Sequence, residues 1–335
     1  MSAAKPTIAL FTGDPAGIGP ELLARLLADG SAARRANIRI VGSRAVLEEG
    51  MRAAGCRFAF EEGDAGATRT DSEVPLLVMS PVHAATGFER GAVSAKAGRY
   101  MLDSLRYCVD LCSGGAADAI CFAPLNKAAL RAGGMSHPDE LHWFAEVLDF
   151  HGTCVELNVL ETLWTSRVTS HVPLAEVARL ITKEKVAEQV ELIHSSLVRA
   201  GTAKPRIAVC GLNPHNGDNG AYGREEIDVI APGIDMARAR GIPAEGPFPA
   251  DTIFVRATRS TGGYDGVVTM YHDQGQIAMK LLGFDRGVTV QGGLPMPITT
   301  PAHGTAYDIA GRGVANAGAM KNAFAIACAM GERGA

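Results

Sequence analysis

The chain has 335 residues, 47% of them hydrophobic, which is enough to bury a core in one large or two smaller domains. Its 32 Lys and Arg against 36 Asp and Glu leave a net charge of −4, which excludes the basic surplus of a general nucleic-acid binder and the composition of a disordered chain. No apolar run reaches the roughly 18 residues of a membrane span. Met1–Pro6 leads straight into an apolar run without the outline of a secretory signal, so a soluble, cytoplasmic protein is expected.

Short apolar runs alternate with amphipathic segments along the chain. Thr7–Phe11 reads as a strand and Pro20–Leu27 as the helix after it. Strands at Ile38–Val41 and Leu76–Met79 precede a helix over Val93–Leu111 and a strand at Ala119–Phe122. Val155–Val168, rich in Thr, Val and Leu with partial alternation, reads as β-rich, and Leu174–Arg199 as one helix. A strand at Arg206–Gly211, a helix at Glu225–Arg238, a strand at Gly266–Met270 and a helix at Gly318–Met330 complete the pattern. Such alternation implies an α/β architecture with a mainly parallel sheet, because parallel strands need crossover connections. No repeat, low-complexity tract or exposed linker interrupts it, so two subdomains sharing one body are expected.

Two glycine-rich segments stand out. Gly13-Asp14-Pro15-Ala16-Gly17-Ile18-Gly19-Pro20-Glu21 links a strand to a helix, with Pro20 suited to the first helical position and Glu21 to the helix dipole. It could receive an anion or be a purely structural turn, and its spacing is not G-x-G-x-x-G. The second, Thr299–Gly313, interleaves small residues with His303, Thr305 and Asp308, and its amides could meet a nucleotide. The seven cysteines are odd in number and scattered without a C-x-x-C pair, so buried reduced thiols are expected.

Of nine histidines, His171, His215, His272 and His303 lie where strand patterns give way to polar or glycine-containing sequence. In open α/β sheets ligands collect beyond the carboxyl ends of strands. Neutral imidazoles there can hold a divalent transition metal, although a lone histidine is more often structural. His83, His142, His151 and His194 read as structural, Trp143 and Trp164 as packing residues, and Glu225, Glu226 and Asp228 as partners of a helix dipole.

Together these segments resemble a known family. The Gly13–Glu21 loop, Pro124-Leu125-Asn126-Lys127, Gly211-Leu212-Asn213-Pro214-His215, Tyr222–Asp228, Pro249-Ala250-Asp251-Thr252 and Met270-Tyr271-His272-Asp273-Gln274-Gly275 are similar to the signatures of 4-hydroxythreonine-4-phosphate dehydrogenase and its paralogues. The His303–Gly313 stretch is also similar to the nucleotide loop of isocitrate and isopropylmalate dehydrogenases.

The resemblance implies an isocitrate/isopropylmalate dehydrogenase-like α/β/α fold with two subdomains around a central cleft. Residues 1–140 and 295–335 would form the cofactor side, and residues 141–294 the metal, substrate and dimerisation side. It implies a homodimer with the active site at the subunit interface and a divalent metal on His171, His215 and His272, one of them from the neighbouring subunit. Zinc leads, with magnesium, manganese or cobalt as alternatives. His137 and Lys280 would contact substrate, and His303, Gly304, Thr305 and Asp308 would hold the adenosine part of NAD or NADP.

The family's Gly-His-Thr-Glu reads Ser136-His137-Pro138-Asp139-Glu140 here, in a segment that is longer through Phe144. Positions that usually carry Asn and Arg to the substrate fall on Thr289 and Ile298. Loss of an arginine fork weakens phosphate recognition unless Arg286 or another cation substitutes. An apolar residue there also resembles the branch acting on a terephthalate cis-dihydrodiol.

The expected reaction is oxidative decarboxylation of a small β-hydroxy acid, with Asp273 and Lys127 as candidates for proton transfer. A non-redox acyl-phosphate transferase or binder on the same scaffold is the competing class.

Overall fold

The computed structural model describes residues 5–64 and 73–332. In chain order the strands are β1 Thr7–Phe11, β2 Asn37–Val41, β3 Glu61–Gly63, β4 Leu76–Val78, β5 Ala119–Phe122, β6 Val155–Leu160, β7 Leu163–Arg167, β8 Ile207–Cys210, β9 Ala244–Phe248, β10 Gly266–Thr269, β11 Val288–Gly292 and β12 Ile298–Pro301. The α-helices are α1 Gly19–Leu27, α2 Ser31–Arg35, α3 Arg44–Ala54, α4 Ala95–Ser113, α5 Lys127–Ala132, α6 Glu140–Val147, α7 Val177–Leu180, α8 Lys183–Arg199, α9 Ala231–Ala239, α10 Ala250–Ala257, α11 His272–Gly283 and α12 Gly318–Gly331.

The chain divides into two compact units, residues 1–152 with 288–335 and residues 153–287. In the first, the strand order is β3-β4-β2-β1-β5-β12-β11. Every neighbouring pair is parallel except β11 and β12. In the second, the order is β6-β7-β10-β8-β9, with an antiparallel β6–β7 hairpin and parallel pairs beyond it. Ile8–Phe11 and Ile207–Cys210 are wholly buried, which is the continuous apolar run of a parallel strand covered on both faces. The protein is therefore a mixed α/β fold with mainly parallel sheet, as expected.

Two helical expectations are corrected. Leu174–Arg199 is not one helix. Ile181 is extended, and the Thr182 hydroxyl accepts the Lys185 amide at 3.2 Å, so α8 begins anew with its own cap. Glu225–Arg238 opens with a π-helical turn over Glu226–Ile230 before α9. The β-rich Val155–Val168 stretch is the β6–β7 hairpin.

None of the seven cysteines is in a disulfide; Cys108, Cys121, Cys210 and Cys328 are buried, Cys56, Cys112 and Cys154 are half-buried, and burial pushes the Cys121 and Cys328 thiols up to about 12. Trp143 and Trp164 are buried packing residues. Among the described residues no helix is long and apolar enough to cross a membrane.

Candidate functional site

In the second unit β10 pairs in parallel with both β7 and β8. His171 follows β7, His272 follows β10 and His215 follows β8. Three histidines thus leave the carboxyl ends of three adjacent parallel strands, the edge where α/β sheets collect ligands.

Two of these strand ends are pinned to each other. The Val168 amide donates to the Thr269 carbonyl at 2.9 Å, and the Thr169 amide and hydroxyl donate to the Met270 carbonyl at 3.1 and 2.8 Å. The His171 and His272 rings consequently lie 5.6 Å apart, centroid to centroid. Two imidazoles bound to one tetrahedral cation at metal–nitrogen distances near 2.0–2.1 Å would stand about 5 Å apart by the same measure. His272 Nδ1 meets the Asp273 carboxylate at 2.7 Å, which leaves its Nε2 free to act as a ligand. The pair fits two ligands of a divalent metal. Among the described residues, however, no group of three or more His, Cys, Asp or Glu is gathered as a metal site, and His215 does not join the pair.

The framework around the pair includes residues that sequence reasoning missed. Arg167, the last residue of β7, is buried, with Nη2 on Glu156 at 2.9 Å, Nη1 on Asn158 at 2.9 Å and Nε on the Ser170 hydroxyl at 2.9 Å. Ser170 precedes His171. Gln276 of α11 also donates to Asn158 Oδ1, the atom that Arg167 Nη1 meets, so one network reaches both histidine-bearing segments. Gln274 accepts from the Met270 amide at 2.7 Å and donates to the Gly211 carbonyl at 2.9 Å, joining the ends of β10 and β8.

His215 sits in an unusual backbone. From His215 to Asn219 five successive residues have φ between 43° and 75°, a left-handed turn in which only Gly217 is glycine. Each non-glycine residue there costs about 1–2 kcal/mol, so the surroundings must impose the shape. Glu226 is the main restraint. It is buried; its Oε1 accepts the Leu212 and Asn213 amides at 2.7 and 2.6 Å, and its Oε2 accepts from the Asn213 side chain at 3.0 Å. The dipole role expected for Glu226 is therefore replaced by a buried anchor, whereas Asp228 pairs with Arg224 on the surface at 2.9 Å.

Asp273 and Lys280 are exposed, in the first and last turns of α11. In the first unit, Lys127 is the exposed first residue of α5, whose cap is Asn126, accepting the Ala129 amide at 2.9 Å. His137 lies between α5 and α6; its Nε2 meets the Glu146 carboxylate, and its buried Nδ1 has no partner. Burial alone would raise the neighbouring Asp139 carboxyl, but the His142 amide and imidazole and the Lys127 charge together hold it below its ordinary value. In the 303–308 loop His303 is half-buried, Thr305 is buried, and Gly304 and Asp308 are exposed.

Four amides of the Gly13–Glu21 loop are spent inside the protein, which supports the reading of it as a structural turn. Asp14 donates to the Pro124 carbonyl at 3.0 Å, Ala16 to the Asp14 carboxylate at 2.9 Å, Gly17 to the Asp14 carbonyl at 3.2 Å and Ile18 to the Thr305 carbonyl at 3.0 Å. Ile298 is wholly buried in β12, beside Ile120, and is not a surface that reads substrate charge. Thr289 is half-buried in β11. Arg286, the substitute cation, is engaged with Glu161.

The sequence profile of the family described as pyridoxal phosphate biosynthetic protein PdxA matches residues 34–327. A Pseudomonas aeruginosa relative is 56% identical over 328 residues, covering 98% of this chain and 97% of its own. The D-threonate 4-phosphate dehydrogenase of Cupriavidus necator is 38% identical over 317 residues, covering 94% of each chain. The crystal structure of 4-hydroxythreonine-4-phosphate dehydrogenase from Klebsiella pneumoniae superimposes with a TM-score of 0.84 at 33% identity, covering 99% of this chain and 100% of that one.

Proposed function

The chain belongs to the PdxA family, and on that premise we propose that it is an NAD(P)-dependent dehydrogenase acting on the secondary alcohol of a small phosphorylated β-hydroxy acid, with loss of CO2. Relatives named for 4-hydroxythreonine 4-phosphate and D-threonate 4-phosphate support a four-carbon hydroxy acid phosphate as substrate class. The observation that carries the reading is the row of His171, His272 and His215 beyond three adjacent parallel strands, the first two within 5.6 Å of each other.

Nicotinamide would take the hydride, and a divalent cation, zinc foremost, would lower the pKa of the alcohol and balance the negative charge left when CO2 departs. His171 and His272 would hold that cation, with His215 of a second copy as third ligand in a homodimer. Asp273, bonded to His272 Nδ1, fixes the tautomer that offers Nε2. Asp273 would orient His272 through that contact, and Asp273 and Lys127 would be the candidates for taking the alcohol proton and returning one to carbon. His137 and Lys280 would bind the acid groups of the substrate. His303, Gly304, Thr305 and Asp308 would receive the adenosine part of the cofactor, and the isocitrate-dehydrogenase-like architecture belongs to the same reading.

The test is formation of reduced nicotinamide with 4-phosphorylated hydroxythreonine, D-threonate 4-phosphate and a cyclohexadiene-diol carboxylate, with zinc and with a chelator. Chelator-sensitive turnover of a phosphorylated acid is expected. Turnover unaffected by chelation rejects the metal role, and nucleotide binding without reduction on any substrate rejects the dehydrogenase reading.

A further inference from the structure

The first unit brings together the two glycine-rich segments, which lie almost three hundred residues apart. The Tyr307 hydroxyl donates to Asp14 Oδ2 at 2.6 Å, and Asp14 itself has no exposed surface. Three further ties join the same two segments or the residues that directly follow them. Ile18 N donates to the Thr305 carbonyl at 3.0 Å, Arg25 Nη2 to the Gly313 carbonyl at 2.6 Å and Ala315 N to Glu21 Oε1 at 2.9 Å. The approach is close enough to dictate residue type. A Cβ on Gly17 would stand 2.8 Å from the Thr305 Cβ and 2.9 Å from its carbonyl oxygen.

Three of the four ties use a group that the Gly13–Glu21 motif could have offered to a ligand: the Ile18 amide, the Asp14 carboxylate and the Glu21 carboxylate. The motif therefore spends one amide and one oxygen of each of two carboxylates on the other loop. On that loop Gly304 is exposed, and a Cβ on it would meet nothing within 4 Å.

We propose that the Gly13–Glu21 segment is a clamp on the 303–315 loop, and that Asp14, acting through the Tyr307 hydroxyl, is the positioning residue that keeps this loop in its cofactor-binding form. The inference rests on the reading that residues 303–308 receive the nucleotide. Its physical basis is preorganisation: apparent affinity falls in proportion to the fraction of molecules whose loop is already in place. A buried carboxylate accepting a hydroxyl is among the stronger single restraints available, and Tyr307 makes it from the centre of the loop.

The experiment measures NAD+ and NADP+ affinity and amide exchange across residues 303–315 in the full-length protein. Four variants are compared: Gly304→Val, Tyr307→Phe, Asp14→Asn and the Tyr307→Phe/Asp14→Asn double substitution. Gly304→Val fills open space without touching the clamp and should weaken nucleotide binding at least tenfold. Tyr307→Phe removes one hydroxyl, so it should fold, speed exchange of the loop in nucleotide-free protein and raise Kd about tenfold. In turnover that change should fall on the KM for nucleotide rather than on kcat. Because both substitutions act on one contact, the double should be no weaker than the worse single, a non-additivity that a diffuse structural defect would not produce. If Gly304→Val binds nucleotide like the wild type, the cofactor reading fails and the inference falls with it. If Gly304→Val loses nucleotide while Tyr307→Phe keeps wild-type affinity and wild-type exchange, the inference alone is overturned.

Discussion

Glu226 and Asp14 are buried carboxylates with different consequences. Glu226 accepts two backbone amides and an amide side chain and has no cation beside it among its hydrogen-bond partners, so its charge is held by directed dipoles. Glu226→Ala strands those donors and should cost about 2–3 kcal/mol in urea unfolding. Glu226→Gln keeps the shape but turns a donor toward donors, and should recover less than half of that loss. Full stability in the alanine variant would show that the His215 turn stands without its anchor. Asp14 is titratable in a way that can be read directly. Burial raises its carboxyl above the ordinary 3.8, against the opposing hydrogen bonds from Tyr307 and Ala16. Folding thus favours the protonated form: the contribution to stability is complete below pH 3.8 and is lost as pH climbs through the folded pKa. Asp14→Asn cannot ionise, so its melting temperature relative to wild type should rise as pH is taken from about 4 toward 7. A difference that is flat or falling with pH would contradict the burial argument. Ile298 gives the opposite lesson, since its wholly buried position means that Ile298→Arg would leave an unpaired charge in the core and lower the melting point, with no gain toward phosphate.

At the level of elements, what could be read in advance follows from burial. Ile8–Phe11, Ile120–Phe122 and Val267–Val268 are covered on both faces, so their strands stand out as unbroken apolar runs. Strand β9 does not, because Gly246 and Pro247 interrupt an edge strand, and β3 is carried by Glu61 and Glu62. The α7–α8 break was hidden because apolar residues recur on both sides of Thr182, although the cap itself, Thr followed by Lys-Glu, is a visible signal. The histidine positions were legible because strand ends were legible. Arg167, Gln274 and Glu226 were not, since the role of each depends on at least one partner eleven or more residues away. The left-handed turn after β8 has only a weak mark, the Asn and Gly content of Asn213–Gly220. It carries a direct prediction. Asp218 and Asn219 are exposed with φ of 43° and 53°, so Asp218→Gly and Asn219→Gly relieve strain and should leave stability unchanged or raise it by up to about 1 kcal/mol. Glycine in an ordinary helix would cost a similar amount, and a drop of that size in chemical denaturation would deny the left-handed geometry.

For the whole molecule, the proposed homodimer with a shared metal makes a definite demand on how its site would be divided. His171 and His272 face each other within one protomer, whereas His215 follows a neighbouring strand without joining them. In a two-fold dimer each site would then take two histidines from one copy and the third from the other, and the symmetry makes the two sites equivalent. Mixed dimers of His215→Ala and His272→Ala protomers should therefore regain function that neither variant has alone. Half of the dimers formed by random reassociation are mixed, and each holds one intact site, so about a quarter of the wild-type zinc content and turnover should return. Mixing His171→Ala with His272→Ala should restore nothing, because both lesions fall on the histidines contributed by the same chain to each site. Zinc content by elemental analysis and reduced-nicotinamide formation would be followed together after unfolding and joint refolding. Recovery in the second mixture would mean that the His171 and His272 of one site come from different subunits. No recovery in the first would mean that the three histidines, or the two subunits, do not share one cation.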